Sequence, residues 1–482
     1  MPVHDFKNGV IIILATVGLL SCEEPDTIIP AVTIISPMEG AIVDDTVRIS
    51  CMASDNIGIN KIELWIDGEY SGNSDNSQPY YLEFFTSEYI PGSQHVIVAR
   101  AYDTSGNIAD SSPITLTVSP GFMKTYGSTL NEMAFSVKQT SDGGFILAGY
   151  TAALGDAHVF LLKTDVKGNI EWETAFGGSS IEIANSVCQT SDGGYVLTGS
   201  SSSSNYQLLL MKVDAEGNQI WSQRYGGNDF DEGNSVQQTS DGGYIIIGEA
   251  DFNGHHYRGN AWLIKTDVNG IIEWDKKFGG SLNDTGNAVQ QTIDGGYIII
   301  GSTESNAVGG YRDAWLIKTN ESGYEEWSKV FGDSNDDRGL AIAISQEGGY
   351  AITGHTLQQS DQQAWLVKVD VEGLLEWDVV ISGGVYDMGR SINQTTDLGY
   401  IITGTTTASS ISHQNLWLLK FSGNGSLLWD KIYGGDLNDD GYSVQQTGNG
   451  GYVVGGVTES YGNGMADVWL IKTDSQGITT HF

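Results

Sequence analysis

The sequence is short of several residue types, and each shortage argues against a class of protein. Only 23 of the 482 residues are Lys or Arg, against 60 Asp or Glu, so the formal net charge is −37. This charge repels phosphate backbones, and no segment carries a basic stripe, so we expect no nucleic-acid partner. The 3 cysteines are too few and too widely separated for a disulfide framework. With only 8 prolines and 40% hydrophobic residues, the composition is globular.

Long hydrophobic runs are also missing, apart from one near the N-terminus. The run Gly9–Leu20 has 12 apolar or small residues, which is shorter than the ~20 residues that a membrane-spanning helix needs. Its length is typical of the hydrophobic part of a signal peptide. The run ends in Leu-Leu-Ser-Cys at Cys22, which resembles the lipobox of bacterial lipoproteins.

This resemblance implies a membrane anchor. Residues 1–21 would be a lipoprotein signal peptide, Cys22 would carry the lipid, and residues 22–30 would be a linker. The acids that follow Cys22, Glu23 and Glu24 among them, resemble the export signal of surface lipoproteins in the Bacteroidota. We therefore expect an exported protein that is attached to the bacterial outer membrane by its lipid alone and faces outward.

Residues 31–119 have the pattern of a β-sandwich. Short strand-like runs alternate with turn-rich pieces such as Asp67-Gly68, and about seven short strands in ~90 residues is the immunoglobulin-like pattern. The segments VTIISPMEGAIV, IELWIDGEY and VIVARAYDTSGNIA resemble bacterial Ig-like modules. We predict an Ig-like domain that acts as a spacer, with Trp65 in its core.

From residue 121 to residue 482 the sequence repeats. The anchor of each unit is a glycine-aromatic pair after a turn, and the intervals between the aromatics are 50, 49, 53, 53, 50 and 52 residues. This is the spacing of propeller blades. The pairs are Gly144-Phe145, Gly194-Tyr195, Gly243-Tyr244, Gly296-Tyr297, Gly349-Tyr350, Gly399-Tyr400 and Gly451-Tyr452.

Each unit contains four strands, which we call a, b, c and d. In the unit Asn287–Phe331 we predict strand a at Ala288–Thr292, strand b at Tyr297–Thr303, strand c at Asp313–Thr319 and strand d at Tyr324–Phe331. Seven such antiparallel units predict an all-β fold: an Ig-like sandwich followed by a seven-bladed β-propeller. Residues 122–127 align with strand d, so the first and last segments together would complete the seventh blade.

Many of the repeated residues have packing explanations. Large aromatic rings on strands c and d would fill the space between blades. A lysine on strand c would pair with a carboxylate, a glutamine on strand a would bond to the neighbouring blade, and a glycine on strand b would allow a close backbone approach. Examples are Trp274, Lys265, Gln291 and Gly301.

The repeat resembles a known group. The pattern W-x-K-x-[FY]-G-G…S-V-x-Q-T-x-D-G-G-Y-I-I-x-G…D-A-W-L-I-K-T-D is similar to β-propeller repeats of secreted or lipid-anchored Bacteroidota proteins, some of which carry an endoglucanase-like label. Its D-x-x-G-x-x-x-W part also looks like the repeat of quinoprotein dehydrogenases and of an outer-membrane assembly lipoprotein. The dehydrogenases have a Cys-Cys pair, which this sequence lacks, so the resemblance does not imply a quinone enzyme.

The most regular polar feature is an acid before strand a in all seven units. Two interpretations remain open. The carboxylates could bind backbone N–H groups of their own turns, or they could form a ring that attracts a cation. The acids are Glu132, Glu182, Asp231, Asp284, Asp337, Asp387 and Asp439.

One of these connections resembles a calcium loop. Asp436, Asn438 and Asp440 supply oxygens at alternate positions and a glycine follows, as at the start of an EF-hand loop. The final Glu of that loop is absent, and Thr447 stands in its place. Calcium is the only cofactor that the sequence suggests.

Function more often lies where the repeats differ. The loops between strands b and c vary most, and two adjacent loops hold a cluster of ring-bearing and cationic side chains that could bind a sugar or an acidic peptide. The alternative is a solvated loop. The cluster consists of His255, His256, Tyr257, Arg258, Tyr311 and Arg312.

No Ser-His-Asp arrangement and no pair of catalytic carboxylates can be singled out in the sequence. Our first hypothesis is a non-catalytic surface protein whose propeller binds a glycan or a protein through its loop-bearing face. The alternatives are a hydrolase that acts on polysaccharide and a scaffold in envelope assembly. Active sites usually break a repeat, whereas the acids keep it in every unit, which favours the first hypothesis.

Overall fold

A computed structural model describes residues 26–43, 46–89, 92–119, 121–152, 157–178, 180–202, 206–227, 230–251, 259–358, 360–407 and 413–479. These residues form β-strands and one short 3-10 turn, with no α-helix among them. No described helix has the length and apolar character that crossing a membrane requires. The chain forms two compact bodies: one contains Arg48–Glu83, His95–Leu116 and the residues before Ile42, and the other contains the rest.

The N-terminal strands form two sheets. Their order is β1-β3-β6 in one sheet and β2-β9-β7-β4-β5 in the other, with β8 beside β7. The strand-like runs of the sequence fall on six of these strands: Val32–Ile35, Thr46–Met52, Lys61–Ile66, Tyr80–Phe85, His95–Tyr102 and Ile114–Val118. The strands are β1 Ala31–Ser36, β2 Ile42–Val43, β3 Thr46–Ser54, β4 Ile59–Ile66, β5 Glu69–Asp75, β6 Tyr80–Phe85, β7 Gln94–Asp103, β8 Ile108–Asp110 and β9 Ile114–Val118, and the 3-10 turn is Thr86–Glu88.

The prediction for Trp65 is wrong. Side chains alternate along β4, so Leu64 and Ile66 point inward and are buried, whereas Trp65 is only half-buried on the other face. There the Arg100 guanidinium lies 3.9 Å from the centre of the indole ring. The core at this point consists of aliphatic side chains and Phe84.

The second body contains seven four-stranded antiparallel sheets, which we number as repeats 1 to 7. A single parallel bridge, Gln362 to Tyr386, also joins the sheets of repeats 5 and 6. The strands, in the order a to d, are β11 Glu132–Gln139, β12 Phe145–Thr151, β13 His158–Thr164 and β14 Ile170–Phe176 in repeat 1; β15 Glu182–Gln189, β16 Tyr195–Ser201, β17 Gln207–Val213 and β18 Gln219–Tyr225 in repeat 2; β19 Asp231–Gln238, β20 Tyr244–Asp251, β21 Gly259–Thr266 and β22 Ile272–Phe278 in repeat 3; and β23 Asp284–Gln291, β24 Tyr297–Thr303, β25 Asp313–Thr319 and β26 Glu325–Phe331 in repeat 4.

The remaining repeats follow the same order. They are β27 Asp337–Ile344, β28 Tyr350–Gln358, β29 Asp361–Val369 and β30 Leu375–Ile381 in repeat 5; β31 Tyr386–Gln394, β32 Tyr400–Thr407, β33 Asn415–Phe421 and β34 Leu427–Tyr433 in repeat 6; and β35 Asp439–Gln446, β36 Tyr452–Thr458 and β37 Asp467–Thr473 in repeat 7. The fourth strand of repeat 7 is β10, Phe122–Tyr126, which pairs antiparallel with β37 so that Phe122 lies opposite Lys472.

Neighbouring repeats pack through aromatic rings. The tryptophan of strand d lies against the tyrosine that begins strand b of the next repeat, for example Trp221 against Tyr244, with ring centroids 5.9 Å apart. The same ring also covers Gly270, where a Cβ would lie 2.8 Å from the indole. Between repeats 7 and 1, Phe122 and Phe145 occupy these positions, 6.2 Å apart. The last sheet therefore contacts the first in the same way as the others contact each other.

One predicted boundary is wrong in every repeat. Strand a begins at or next to the repeated acid, four residues earlier than the prediction of Ala288 in repeat 4, because Asp284 already pairs with Thr303 of strand b. The predicted boundaries of strands b and c in that repeat are correct. The repeated acids are thus part of the sheets.

Candidate functional site

The seven repeated acids are buried at the start of strand a. In six repeats the carboxylate accepts the backbone N–H of the residue four or three positions earlier, as Asp284 does from Gly280 at 2.8 Å. In five repeats it also accepts a hydroxyl from the end of strand b, such as Thr303 onto Asp284 at 2.5 Å. These contacts are those expected of acids that hold their own turns.

Repeat 5 departs from this pattern. Within the described part of the chain, the Oδ1 atom of Asp337 has no hydrogen-bond partner, and neither has the Oδ1 atom of buried Asp313, at the start of strand c of repeat 4. Both carboxylates lie beside Gly332, whose Cβ would be 2.2 Å from Asp313 and 2.8 Å from Asp337. Burial raises the pKa of Asp313 to about 6, and the charge of Asp337 adds to this effect. Repeats 3 and 6 have neutral Asn260 and Asn415 at the same place.

Four members of the predicted loop cluster, His255, His256, Tyr257 and Arg258, lie outside the described residues. Tyr311 is exposed. The half-buried Arg312 donates from Nε to Glu304 at 2.8 Å, so its charge is already paired.

Two of the three predicted calcium ligands, Asp440 and Asn438, have other partners in the described residues. Asp440 is buried and accepts the Thr405 hydroxyl. The Asn438 amide accepts the backbone N–H of Gln414 and donates to Glu459, and Asp436 is exposed. A cation would compete with these contacts, and calcium at this loop stays a prediction.

Every strand a contains a β-bulge, which the sequence analysis did not foresee. In repeat 1, Ala134 pairs with Gly149 and Ser136 with Ala148, so Phe135 has no partner on strand b. Bulges often re-aim a side chain near a binding site. The unpaired residue of each repeat, here called the bulge residue, is Phe135, Asn185, Asn234, Asn287, Leu340, Arg390 or Tyr442.

The bulge explains the repeated glycine on strand b. A Cβ on Gly301 would lie 1.9 Å from the carbonyl oxygen of Thr285, and in each repeat the equivalent distance is 2.0 Å or less. Side chains do not fit at such separations, so the bulge requires glycine opposite it. The predicted close backbone approach is therefore confirmed.

The bulge residues divide the repeats into two groups. In repeats 2, 3 and 4 the residue is asparagine, and its Nδ2 atom donates to a carbonyl of the next repeat, as Asn287 does to Gly339 at 2.7 Å. In repeats 5, 6, 7 and 1 the bulge residue is not asparagine, so this hydrogen bond to the next repeat is absent there. We call this second group, Leu340, Arg390, Tyr442 and Phe135, the bulge arc.

Arg390 is the charged member of the bulge arc. Its guanidinium lies 4.7 Å from the centre of the Tyr442 ring, and Tyr442 in turn packs edge-on against Phe135 with centroids 5.0 Å apart. Nε donates to Thr405 at 3.3 Å, and Nη2 is 3.8 Å from Asp440 Oδ1, beyond hydrogen-bond range. The side chain is about a quarter exposed (24%). Most of its N–H donors are thus free of acceptors among the described residues.

A second arginine and a histidine lie beside the arc. Arg338 forms a bidentate pair with Asp336, at 2.8 and 2.7 Å. Buried His355 lies opposite Arg338 on strand b, and its Nδ1 atom has no hydrogen-bond partner among the described residues. Burial, together with the charges of Arg338 and Arg390, lowers the pKa of His355 to about 4, so the ring is neutral at pH 7.

Strand a of all seven repeats contributes to one cavity of about 290 Å³, here called the central cavity. Five of the bulge residues line it, including Arg390 and Asn234. Deeper along strand a it is lined by Lys138 and the free thiol of Cys188. Burial lowers the pKa of Lys138 and raises that of Cys188 to about 11. The remaining lining is mostly amide and hydroxyl groups.

The comparison with known families identifies one part of the chain. Residues 30–99 match the family described as the bacterial Ig domain. The N-terminal part of the chain is therefore Ig-like. No curated protein matches the chain.

Several solved structures are similar at low identity. The fibronectin(III)-like modules of CbhA from Clostridium thermocellum are 22% identical over 18% of this chain and 96% of theirs, with a TM-score of 0.17. A polysaccharide lyase of family PL25, an ulvan lyase, is 10% identical over 73% of this chain and 97% of its own, with a TM-score of 0.48. Sqt1 from Chaetomium thermophilum is 12% identical over 70% and 83%, with a TM-score of 0.43. None of these similarities is strong enough to carry a function to this chain.

The Ig domain holds the one group of carboxylates in the described residues that could surround a metal ion. Oxygens of Asp26, Asp55 and Asp103 lie within 4.8 Å of one another. Asp103 is buried and already accepts the backbone N–H groups of Ser105 and Asn107. The sequence analysis missed this group because Asp26 and Asp103 are far apart in the chain.

The bulge arc could have been found from the sequence by aligning the repeats. Three residues after the repeated acid, three units have asparagine and the other four have Phe, Leu, Arg and Tyr. A position that changes chemical character among otherwise regular repeats is the expected sign of a binding site. Its inward position, however, follows only from the bulge.

Proposed function

We propose that residues 121–482 form a seven-bladed β-propeller. Three observations support this: seven four-stranded sheets in succession, a cavity lined by strand a of all seven, and packing of the last sheet against the first. Strand β10 next to β37 would close the ring with the two ends of the domain, because it pairs with the edge of β37 that would otherwise be exposed.

We also propose that this propeller is a non-catalytic glycan-binding domain. The observation that carries the proposal is the bulge arc. The asparagines that bond to the next repeat elsewhere are replaced here by two aromatic rings, a leucine and an arginine whose N–H donors are mostly unused. Aromatic faces and directional polar groups are what a sugar-binding site uses. The cavity beneath, about 290 Å³, has room for a group the size of one sugar ring.

A glycan array probed with the full chain and with Tyr442→Ala tests this function. We expect at least one class of glycan to bind the native chain and to be lost from the variant, because the ring supplies both area and orientation. Tyr70→Ala, which removes an exposed tyrosine from the Ig-like domain, is the control and should bind as the native chain does. Binding that survives Tyr442→Ala would remove the bulge arc from the proposal.

We propose that the Ig domain is a spacer and that Cys22 carries a lipid anchor at the outer membrane, on the cell surface. The support is the lipobox-like sequence, the acids after it and the Ig match. In a bacterial host that processes lipoproteins, labelled fatty acid should enter the native chain and not Cys22→Ser. Protease treatment of intact cells would then tell a surface location from a periplasmic one.

A polysaccharide hydrolase is the second candidate, and Glu232 favours it. This residue follows the repeated acid of repeat 3, and burial raises its pKa while Asn185 donates to it at 2.7 Å. A raised pKa favours the protonated form of the carboxyl, which is the form that a general acid needs. Hydrolysis of an array-selected glycan that disappears in Glu232→Gln, with binding retained, would establish this candidate and overturn the non-catalytic one.

A further inference from the structure

We propose that Arg390 binds the carboxylate of a uronic acid residue, so that the glycan recognised at the bulge arc is an acidic polysaccharide. This inference rests on the glycan-binding function proposed above and assigns its ligand class. Three features of Arg390 support it: its unused N–H donors, the aromatic rings around it, and the charge of its surroundings.

The first feature is the set of N–H donors that Arg390 leaves unused. A guanidinium has five N–H donors in a planar fork that matches a carboxylate. In the described structure Arg390 uses one of them, from Nε to Thr405. Neighbouring Arg338 is different, because Asp336 already occupies its fork with bonds of 2.8 and 2.7 Å. Arg390, and not Arg338, therefore has free N–H donors for a ligand carboxylate.

The second feature is the position of Arg390 beside two aromatic rings. The contact with the Tyr442 ring, 4.7 Å from guanidinium to centroid, fixes the plane of Arg390 at the edge of the cavity. Phe135 supports Tyr442 from the other side. A pyranose ring whose carboxylate met Arg390 would lie beside these aromatic groups, with its hydroxyls toward the amides of the central cavity, such as Asn185 and Asn234.

The third feature is charge. Although acidic residues greatly outnumber basic ones in this chain, the carboxylate that Arg390 approaches within the described residues stays outside hydrogen-bond range. Asp440 lies 3.8 Å from Nη2, which makes a loose ion pair, and it already accepts the Thr405 hydroxyl. A ligand anion would complete this arrangement. The net negative charge of the protein repels an anionic ligand over long distances, and salt screens this repulsion. Moderate salt should therefore strengthen or preserve binding, whereas it would weaken binding of the same ligand to a basic patch.

An acidic peptide is the other source of carboxylates, and the lining of the cavity favours the sugar. Amide and hydroxyl groups from several repeats line the same cavity as Arg390, together with aliphatic side chains, and this mixture suits the hydroxyls and the C–H faces of a sugar ring. A peptide would instead need an open strand edge or an extended apolar groove.

Calorimetric titration of the full chain with short oligogalacturonates tests the inference. The comparison ligand is the same oligosaccharide with every carboxylate methyl-esterified. We expect the free acid to bind at least about tenfold more tightly than the ester, and Arg390→Gln to weaken the acid about ten- to hundredfold, which is the range for a lost bond to a charged group. Lys167→Gln makes the same change of charge on an exposed turn and should bind as the native chain does.

Arg390→Lys is a control for loss of binding that is caused by misfolding. It keeps the positive charge without the planar fork, so it should fold with a native melting curve and still bind the acid more weakly than arginine does. Equal affinity of acid and ester, or an unchanged affinity in Arg390→Gln, would overturn the inference. If a neutral glycan binds and depends on Tyr442 alone, the uronate assignment fails while the glycan-binding function stands. If poly-glutamate binds through Arg390 and no glycan does, both fail.

Discussion

The side-chain oxygen of Gln139 accepts the backbone N–H of Gly448 at 3.0 Å, although the two residues are 309 positions apart. The same bond joins other neighbouring repeats: Gln189 accepts from Ser141, Gln238 from Ser191 and Gln446 from Thr396, all at 2.8 Å. Repeat 7 is therefore tied to repeat 1 by the bond that ties consecutive repeats. This confirms the role that the sequence predicts for the strand-a glutamine.

Gln139→Ala should destabilise the repeat domain. The substitution removes the bond to Gly448, whose exposed N–H would then bond to water, so we expect a loss of about 0.5–1.5 kcal/mol in the free energy of unfolding. Chemical denaturation followed by tryptophan fluorescence would measure it. Gln219→Ala, on an exposed part of strand d, is the control and should change stability by less than about 0.5 kcal/mol.

Gly301→Ala should be far more damaging than a typical surface substitution. The new methyl group would lie 1.9 Å from the Thr285 carbonyl oxygen, so either the bulge or strand b must move. We expect a loss of at least about 3 kcal/mol, or failure to fold. Gly227→Ala has no atom within 4 Å of the new methyl group and should be nearly neutral in the same denaturation experiment.

Lys265→Met should lower stability in a pH-dependent way. The buried ammonium group donates to Glu273 and contacts Asp241, both at 2.8 Å. Although burial raises the pKa of Asp241, the bonds from Lys265 and Thr239 outweigh it, and the pKa falls to about 2. This stabilisation is full above the usual value of 3.8 and is lost as the pH falls toward 2.

The expected difference between native chain and Lys265→Met is about 1.5–3 kcal/mol at pH 7, the range for bonds to charged groups. It should shrink between pH 4 and pH 2. Melting curves across this range are the measurement, with Lys167→Met as the exposed control. An equal difference at pH 7 and pH 2 would mean that packing of the lysine stem, and not its charge, is what stabilises the repeat.

Asp313→Asn should stabilise the protein at alkaline pH. The folded pKa of Asp313, about 6, lies above the usual 3.8, so the folded state holds a proton that the unfolded state releases. Stability therefore falls as the pH rises through 6, and it is regained toward pH 4. Asparagine carries no charge, and repeats 3 and 6 already use it here.

We expect Asp313→Asn to gain about 1–2 kcal/mol at pH 8, the cost of a buried group without a full set of partners, and to gain little at pH 4. Denaturant unfolding at both pH values tests this. Asp467 is the matched position in repeat 7, but its Oδ2 atom accepts from the backbone of Asn463 and Gly464. Asp467→Asn should show no gain at either pH.

Much of the fold could be predicted from local signals in the sequence. The glycine-aromatic pair locates strand b in each repeat because the turn before it needs a positive φ, as at Gly242 (+87°). The repeated lysine and glutamine were likewise assigned their partners correctly, since a buried polar group must find one. Strand a was placed too late, because its pairing with strand b starts before the bulge and the bulge leaves no mark in hydrophobic alternation.

The sequence by itself determined the composition, the two-part organisation, the period of the repeats and the chemistry available at each repeated position. Only the tertiary structure decided which of those positions face one another. In the folded chain the repeated acids are buried and bind their own turns. Arg390 lines the same cavity as Asn185, although the two residues are about 200 positions apart in the sequence. The physical reason is that turn and strand preferences act over a few residues, whereas a cavity is made by contacts between repeats.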